Sequence, residues 1–339
     1  MKFVSFLNTH DDERLGFLFD QKVFDLQDAS QAMKLTVPST MQNFLKESEA
    51  NLILARKIEN AVKGNKVSVE SAIIKKMLAP VPHPNSCRDA YAFRNHVAAM
   101  RRNRGVEMIP EFDQFPVFYF TNHNSVVGEG DIMVQDDHLH RLDFELESAI
   151  VIGKKGINVE AKDADKYIFG YTIMNDMSAR HLQMEEMKLN LGPAKGKDFA
   201  TVIGPMLVTP DELEKYRIQS EEGSRYDLQM IARHNGRQIS DGNMKSINWT
   251  FEEIIERVSY GVEIYPGDVI GSGTVGTGCY AELNGTAALK AKEQGDSFTP
   301  TWLDDGDVIE LEISGLGCLK NRIVKQNAPY SILAKKKNV

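Results

Sequence analysis

The sequence predicts an α+β fold, mostly β, in two parts: a small N-terminal α+β domain over residues 1–80 and a larger β-rich domain over residues 85–330. Three observations predict it. Short apolar runs bounded by turn residues dominate after residue 85. Regular alternation of strand and helix is missing, which argues against a doubly wound sheet or a (β/α)8 barrel. Between the two parts lies Ala79-Pro80-Val81-Pro82-His83-Pro84. Proline fixes its own φ and donates no backbone hydrogen bond, so this segment reads as a stiff extended connector.

In order along the chain, residues 2–7, 15–19 and 22–26 are apolar runs separated by turn residues and read as an antiparallel meander. Pro38-Ser39-Thr40 opens a helical stretch, and a second helix spans about 48–62 on the spacing of its apolar residues. In the larger part, strand-like runs cover 117–120, 143–152, 168–174, 228–234, 269–271 and 308–313. A helix follows Met174. Another spans 250–259, with Phe251, Ile254, Ile255 and Val258 at helical spacing.

Lys plus Arg number 40 and Asp plus Glu 48, for a net charge of −8. An acidic chain whose densest basic run is Met100–Arg104 is not expected to bind nucleic acid. No apolar run approaches the ~20 residues of a membrane-spanning helix. The charged N-terminus does not resemble a signal peptide, and the expectation is a cytoplasmic protein. Three scattered cysteines, Cys87, Cys279 and Cys318, suit neither a disulfide framework nor a zinc site and read as free thiols.

Three segments carry chemistry. In Asp143-Phe144-Glu145-Leu146-Glu147 the acids alternate with apolar residues, so on a strand they share one face. Alone, this pattern fits either a solvated outer face or oxygen ligands for a hard cation. Asp89 and His96 are seven residues apart, one face of a helix if the segment is helical. Asp89 is then an N-cap, or a cation ligand beside a general base. Asp176 likewise reads as an N-cap or a ligand, and Arg180 and Gln183 follow at i, i+3. Two glycine-rich patterns lack their context. Gly192–Asp198 has the wrong spacing for a phosphate loop, and Gly271–Gly276 opens no helix in a βαβ unit. A G-x-S-x-G nucleophile elbow is also missing.

Together these segments resemble the fumarylacetoacetate hydrolase family. The match runs through Arg88-Asp89-Ala90-Tyr91 with His96, Pro116–Tyr119, Phe144–Glu147 with Gly153, Asn175–Arg180 with Gln183, and Leu191–Lys197. It continues through Gly271–Thr274, Glu282-Leu283, Leu303–Asp307 and Gly315–Gly317. The resemblance implies a β-roll catalytic domain and a homodimer. It implies a divalent cation on Asp89, Glu145, Glu147 and Asp176, with Mg²⁺ first and Ca²⁺ or Mn²⁺ as alternatives. It gives Asp143 no place in the ligand set, and Asp143 reads as a surface acid. It also implies a His96–Glu282 pair that activates water, Lys197, Arg180 and Gln183 as catalytic groups that stabilise the developing charge, and substrate contacts from Tyr91, Tyr119, Arg180, Gln183 and Thr274. Thr201 stands at the offset where some relatives hold a second cation.

The substrate implied is a small β-diketo acid cleaved at a carbon–carbon bond, first fumarylacetoacetate in tyrosine and phenylalanine breakdown. An acylpyruvate hydrolase, an oxaloacetate-type decarboxylase and a non-catalytic metal-binding protein are the other readings. The chain departs from the family pattern at His181, where an aspartate is common, and at Met187 and Lys188, where a tyrosine is expected. Both departures fall where the distal part of the substrate would lie.

Overall fold

The computed structural model describes residues 1–327 and 330–337. The N-terminal meander is β1 (Lys2–Leu7), β2 (Glu13–Phe19) and β3 (Lys22–Asp25), followed by α1 (Leu26–Ala32), α2 (Met41–Leu45), α3 (Ser48–Lys63) and the short β4 (Lys76–Met77). The next segment is β5 (Cys87–Ala90), α4 (Arg94–Asn103), β6 (Phe118–Thr121), β7 (Val126–Val127) and β8 (Gly130–Val134). Then come α5 (Asp136–Leu139), β9 (Leu142–Asp143), β10 (Leu146–Ile152), β11 (Ile168–Asp176), β12 (Ser178–Ala179) and α6 (Arg180–Met187). The chain continues through β13 (Thr201–Val208), α7 (Pro210–Leu213), β14 (Arg217–Ile218), β15 (Arg225–Tyr226), β16 (Gln229–His234) and β17 (Arg237–Asn243). It ends with α8 (Phe251–Ser259), β18 (Val269–Gly271), α9 (Tyr280–Gln294), β19 (Val308–Ile313) and β20 (Gly317–Lys325).

Two sheets dominate. The larger has the order β3-β2-β1-β13-β11-β10-β18-β5-β6, with β4 on β1 and β7 on β13; the smaller runs β17-β16-β19-β20-β8. Central strands such as β10 and β11 are buried along their whole length, as expected where both faces of a sheet are covered. The alternation along β10 assigns the faces. Leu146, Ile150 and Ile152 join the core shared with the smaller sheet and α8. Ala149 and Val151 join the core beneath α1–α3 and the meander. β1 pairs antiparallel with β13, so the first 80 residues extend the large sheet by backbone hydrogen bonds.

The meander, the helix over 48–63 and the α8 helix stand where the sequence places them. Thr250 caps α8 in a reciprocal pair with Glu253. Three local expectations are corrected. Asp89 and His96 do not share a helix: Asp89 lies in β5, wedged between β18 and β6, and His96 lies in α4. Asp176 is not an N-cap; it ends β11, and α6 begins after Ala179. The run from 143 to 152 is interrupted at residues 144–145 and is buried rather than solvated.

Candidate active site

The site is built on the face of the large sheet that carries Ala149 and Val151. Side chains alternate along a strand, so residues of like parity share a face. Glu147 has the parity of Ala149 and Val151, Asp176 that of Met174, and Asp89 that of Cys87; these apolar residues all belong to the core beneath α1–α3. Three strands thus carry one carboxylate each to one place. β18 runs between β10 and β5, and Gly271 is its residue opposite both Ala149 and Asp89. A Cβ at Gly271 would lie 2.5 Å from Asp89 Oδ1 and 2.9 Å from Glu147 Oε2. The missing side chain is the clearance that lets the carboxylates converge. Glu145, in the break before β10, completes the group, its N–H donating to Asn175 Oδ1 at 3.0 Å.

Asp89, Glu145, Glu147 and Asp176 each offer a ligand atom, all within 4.8 Å of one another and all buried; among the described residues this is the one such cluster. Lys197 Nζ sits between Glu145 and Asp176, 2.7 Å from the latter. Arg180 donates to Glu145 at 2.7 Å, to Asp143 at 2.8 Å and to Gln183 Oε1 at 3.0 Å. Tyr119 donates its hydroxyl to Asp176 Oδ2. With all four carboxylates ionised, one ammonium and one guanidinium shared with Asp143 would leave the centre negative.

Burial and close spacing set these carboxylates against one another. Burial raises Asp89 to about 7, with the Asp176 charge adding to it. Burial and the neighbouring Asp89 hold Glu147 well above the usual carboxylate range. For Glu145 burial acts in the same sense, but Lys197 and Arg180 outweigh it and bring the group down to about 2. Both oxygens of Glu147 and Oδ1 of Asp176 are buried with no hydrogen-bond partner. Unpartnered buried acceptors in an all-oxygen, net-negative cluster fit a hard divalent cation, and the absence of sulfur and nitrogen donors disfavours zinc.

Beside the cluster stands a histidine–carboxylate pair. His96 Nδ1 is 2.6 Å from Glu282 Oε2, and both residues are buried. A carboxylate accepts, so Nδ1 carries the proton and Nε2 is the basic nitrogen. His96 is near enough to Glu145 that its positive charge would help keep that carboxylate ionised. Glu282 lies in the first turn of α9, and its Oε2 also accepts the N–H of Thr277 at 3.0 Å. Thr277 holds φ at 69°, a left-handed conformation that a β-branched residue rarely adopts and that aims this N–H. Gly285 allows α4 and α9 to touch: a Cβ there would lie 2.6 Å from Asn103 Nδ2, which itself donates to the Glu282 carbonyl at 3.0 Å.

The remaining expected residues are also nearby. The Tyr91 ring lies edge-on to His96 at 6.2 Å, and Thr274 is buried in the loop after β18. Thr201 is buried and 3.4 Å from Thr121 Oγ1, in register with Asp176. Asp143 is corrected from surface acid to a fully buried residue with 0% exposure, holding Arg180 and the first turn of α9. Its place in the alternating acids was the available signal.

Residues 86–324 match the family described as Fumarylacetoacetate (FAA) hydrolase C-terminal. The chain belongs to the fumarylacetoacetate hydrolase family. It is 29% identical over 316 residues to "Oxaloacetate tautomerase YisK" of Bacillus subtilis, covering 90% of this chain and 93% of that protein. It is 30% identical over 290 residues to "Oxaloacetate tautomerase FAHD2A, mitochondrial" of Homo sapiens, covering 85% and 81%. The fold is shared with fumarylacetoacetate hydrolase from Exiguobacterium antarcticum at a TM-score of 0.66 and 23% identity, over 96% of this chain and 100% of that one. Maleylpyruvate hydrolase from Sphingobium sp. SYK-6, in complex with manganese (II) ion and pyruvate, aligns at 0.67 and 20% over the same shares.

Proposed function

We propose that the chain interconverts the keto and enol forms of a short 2-oxo dicarboxylic acid, with oxaloacetate as the first candidate. The observation that carries this reading is the buried His96–Glu282 pair beside a carboxylate cluster suited to a divalent cation. The names of the relatives support the substrate. Asp89, Glu145, Glu147 and Asp176 would hold the cation, Mg²⁺ or Mn²⁺ before Ca²⁺, and it would supply Lewis acidity that makes the carbon beside a carbonyl more acidic.

The chain's own residues then move one proton. In the enol-to-keto direction His96 Nε2 takes the proton from the enol oxygen, and the imidazolium so formed delivers it to the adjacent carbon. In reverse, Nε2 takes the carbon-bound proton and returns it to the oxygen. No water, oxidant or reductant is consumed. Glu282 holds the imidazole in the required tautomer and stabilises its charged form. Lys197 and Arg180 place fixed positive charge where enolate charge develops. Tyr119 and Lys197 both bond to Asp176 Oδ2, which leaves Oδ1 for the cation.

Carbon–carbon hydrolysis of an acylpyruvate, fumarylacetoacetate included, is the second reading. The same Nε2 would deprotonate a water, and a carboxylate-oriented imidazole is the pair such a step uses. The test is the ultraviolet decay of freshly dissolved enol oxaloacetate, with Mn²⁺ and with EDTA. Accelerated, cation-dependent ketonisation is expected, reduced by roughly 10²–10⁴-fold in His96→Ala. Inertness toward oxaloacetate, with acylpyruvates split into two acids, would replace the first reading by the second.

A further inference from the structure

We propose that Asp143 is a positioning residue that locks the helix carrying Glu282 to the arginine side of the site, so that the His96–Glu282 pair and Arg180 act on the same substrate atoms. The proposal rests on the acid–base reading of His96.

Asp143 ends β9, two residues before Glu145, and is completely buried. Its carboxylate is filled from three directions. Oδ1 accepts the Tyr280 N–H at 2.7 Å and the Phe144 N–H at 2.9 Å. Oδ2 accepts the Ala281 N–H at 2.9 Å and Arg180 Nε at 2.8 Å, with Arg180 Nη2 at 2.7 Å. Tyr280 and Ala281 are the first two residues of α9. Their N–H groups have no partner within the helix, and a carboxylate at that end also meets the positive end of the helix dipole. Asp143 therefore caps α9 from outside the helix.

Two residues on, the same helix presents Glu282 to His96 Nδ1. The guanidinium on the other side of Asp143 bonds Glu145 and Gln183. One carboxylate thus ties the first turn of α9 to the Glu145 corner of the cation cluster. Other contacts hold the same end of the helix by a side chain: Tyr280 Oη lies 2.5 Å from His234 Nδ1, and Phe144 packs edge-on against the Tyr280 ring at 5.3 Å. These hold the Tyr280 side chain, whereas Asp143 holds the backbone from which Glu282 projects.

In Asp143→Asn, one oxygen still accepts the Tyr280 N–H, but an amide NH₂ faces Ala281 N–H and Arg180, both donors. The helix start loses one bond and Arg180 loses one of its two carboxylate partners. With enol oxaloacetate and saturating Mn²⁺, kcat is expected to fall about 10- to 100-fold, less than the roughly 10²–10⁴-fold that loss of the general base itself costs, while KM moves less than about threefold. In a His96→Ala background the same substitution is expected to cost no more than about twofold, because residues acting as one unit are not additive. In the cation-free wild type, the His96 Nδ1–H held by Glu282 is expected to give a protected proton resonance by nuclear magnetic resonance, and in the variant that resonance is expected to shift and lose protection.

Independent, multiplying losses in the double variant would overturn the proposal. So would an unchanged Nδ1–H signal together with wild-type kcat. If His96→Ala itself turns over normally, the acid–base reading fails, and the Nδ1–H signal still decides whether Asp143 positions the pair. Should Asp143→Asn not fold, Asp143→Glu keeps the charge for Arg180 but moves the oxygens by one methylene. The same kcat loss and Nδ1–H change are expected there, and their absence counts against the proposal.

Discussion

Four buried carboxylates within 4.8 Å of one another repel, and the group divides its charge accordingly. Lys197 and Arg180 keep Glu145 ionised, while Asp89 rises to about 7 and Glu147 rises with it. The consequence for stability has a definite sign. Asp89 titrates near 3.9 in an unfolded chain, so without a cation the folded protein binds its proton more tightly. That contribution is fully present below about pH 4 and is lost as pH rises through about 7. A cation competes with the proton for the same oxygens, so its stabilising effect grows over that window. Thermal melts with Mn²⁺ or EDTA at pH 5.5 and pH 8 check this. The Mn²⁺-dependent rise in Tm is expected to be the larger at pH 8, where a 100-fold excess over Kd adds about 2.7 kcal/mol. An equal rise at both pH values would contradict the assignment of these residues as ligands.

At the scale of elements, the site depends on loops and helices seated by glycine. Gly196 lies where a Cβ would come within 2.6 Å of the backbone nitrogen and Cα of Gln183, so the loop bearing Lys197 rests directly on α6. Gly196→Ala is expected to lift Lys197 from between Glu145 and Asp176 and reduce kcat by at least about tenfold, given the size of losses when one oxyanion-stabilising group is removed. Steady-state kinetics beside a circular-dichroism melt check it. Elements with strong local patterns were legible: the meander, α3 and α8. β5 was not, because Cys87–Ala90 is four residues long, buried throughout, and placed by pairing with β18 and β6 rather than by alternation. α9 was not, because an internal Gly285 and few buried positions blur its periodicity; its termini, Cys279 and the left-handed Gly295, were the available signal. The ligand carboxylates were named from motif resemblance. What brings them together, strand parity and the clearance at Gly271, exists only in the assembled sheet.

At the scale of the molecule, the N-terminal region and the site share one sheet. Phe3, Phe17 and Phe44 belong to the same core as Ala149, Val151, Phe169 and Met174, and the N-terminal amine bonds Thr209 at 2.6 Å. Removal of residues 1–80 is expected to bare the β13 edge and the face of the sheet beneath the carboxylates, giving a protein that aggregates or melts at least several degrees lower. Expression and a thermal melt of residues 81–339 test this. Among the described residues no helix is long and apolar enough to cross a membrane.

The central claim is that His96, oriented by Glu282, moves a proton on a cation-bound 2-oxo acid. The most direct measurement is the ketonisation rate of enol oxaloacetate by the Mn²⁺-loaded wild type and His96→Ala side by side. The account predicts a fast, EDTA-sensitive wild type and a variant slower by about 10²–10⁴-fold that still binds Mn²⁺. A variant as fast as the wild type with Mn²⁺ bound would contradict it.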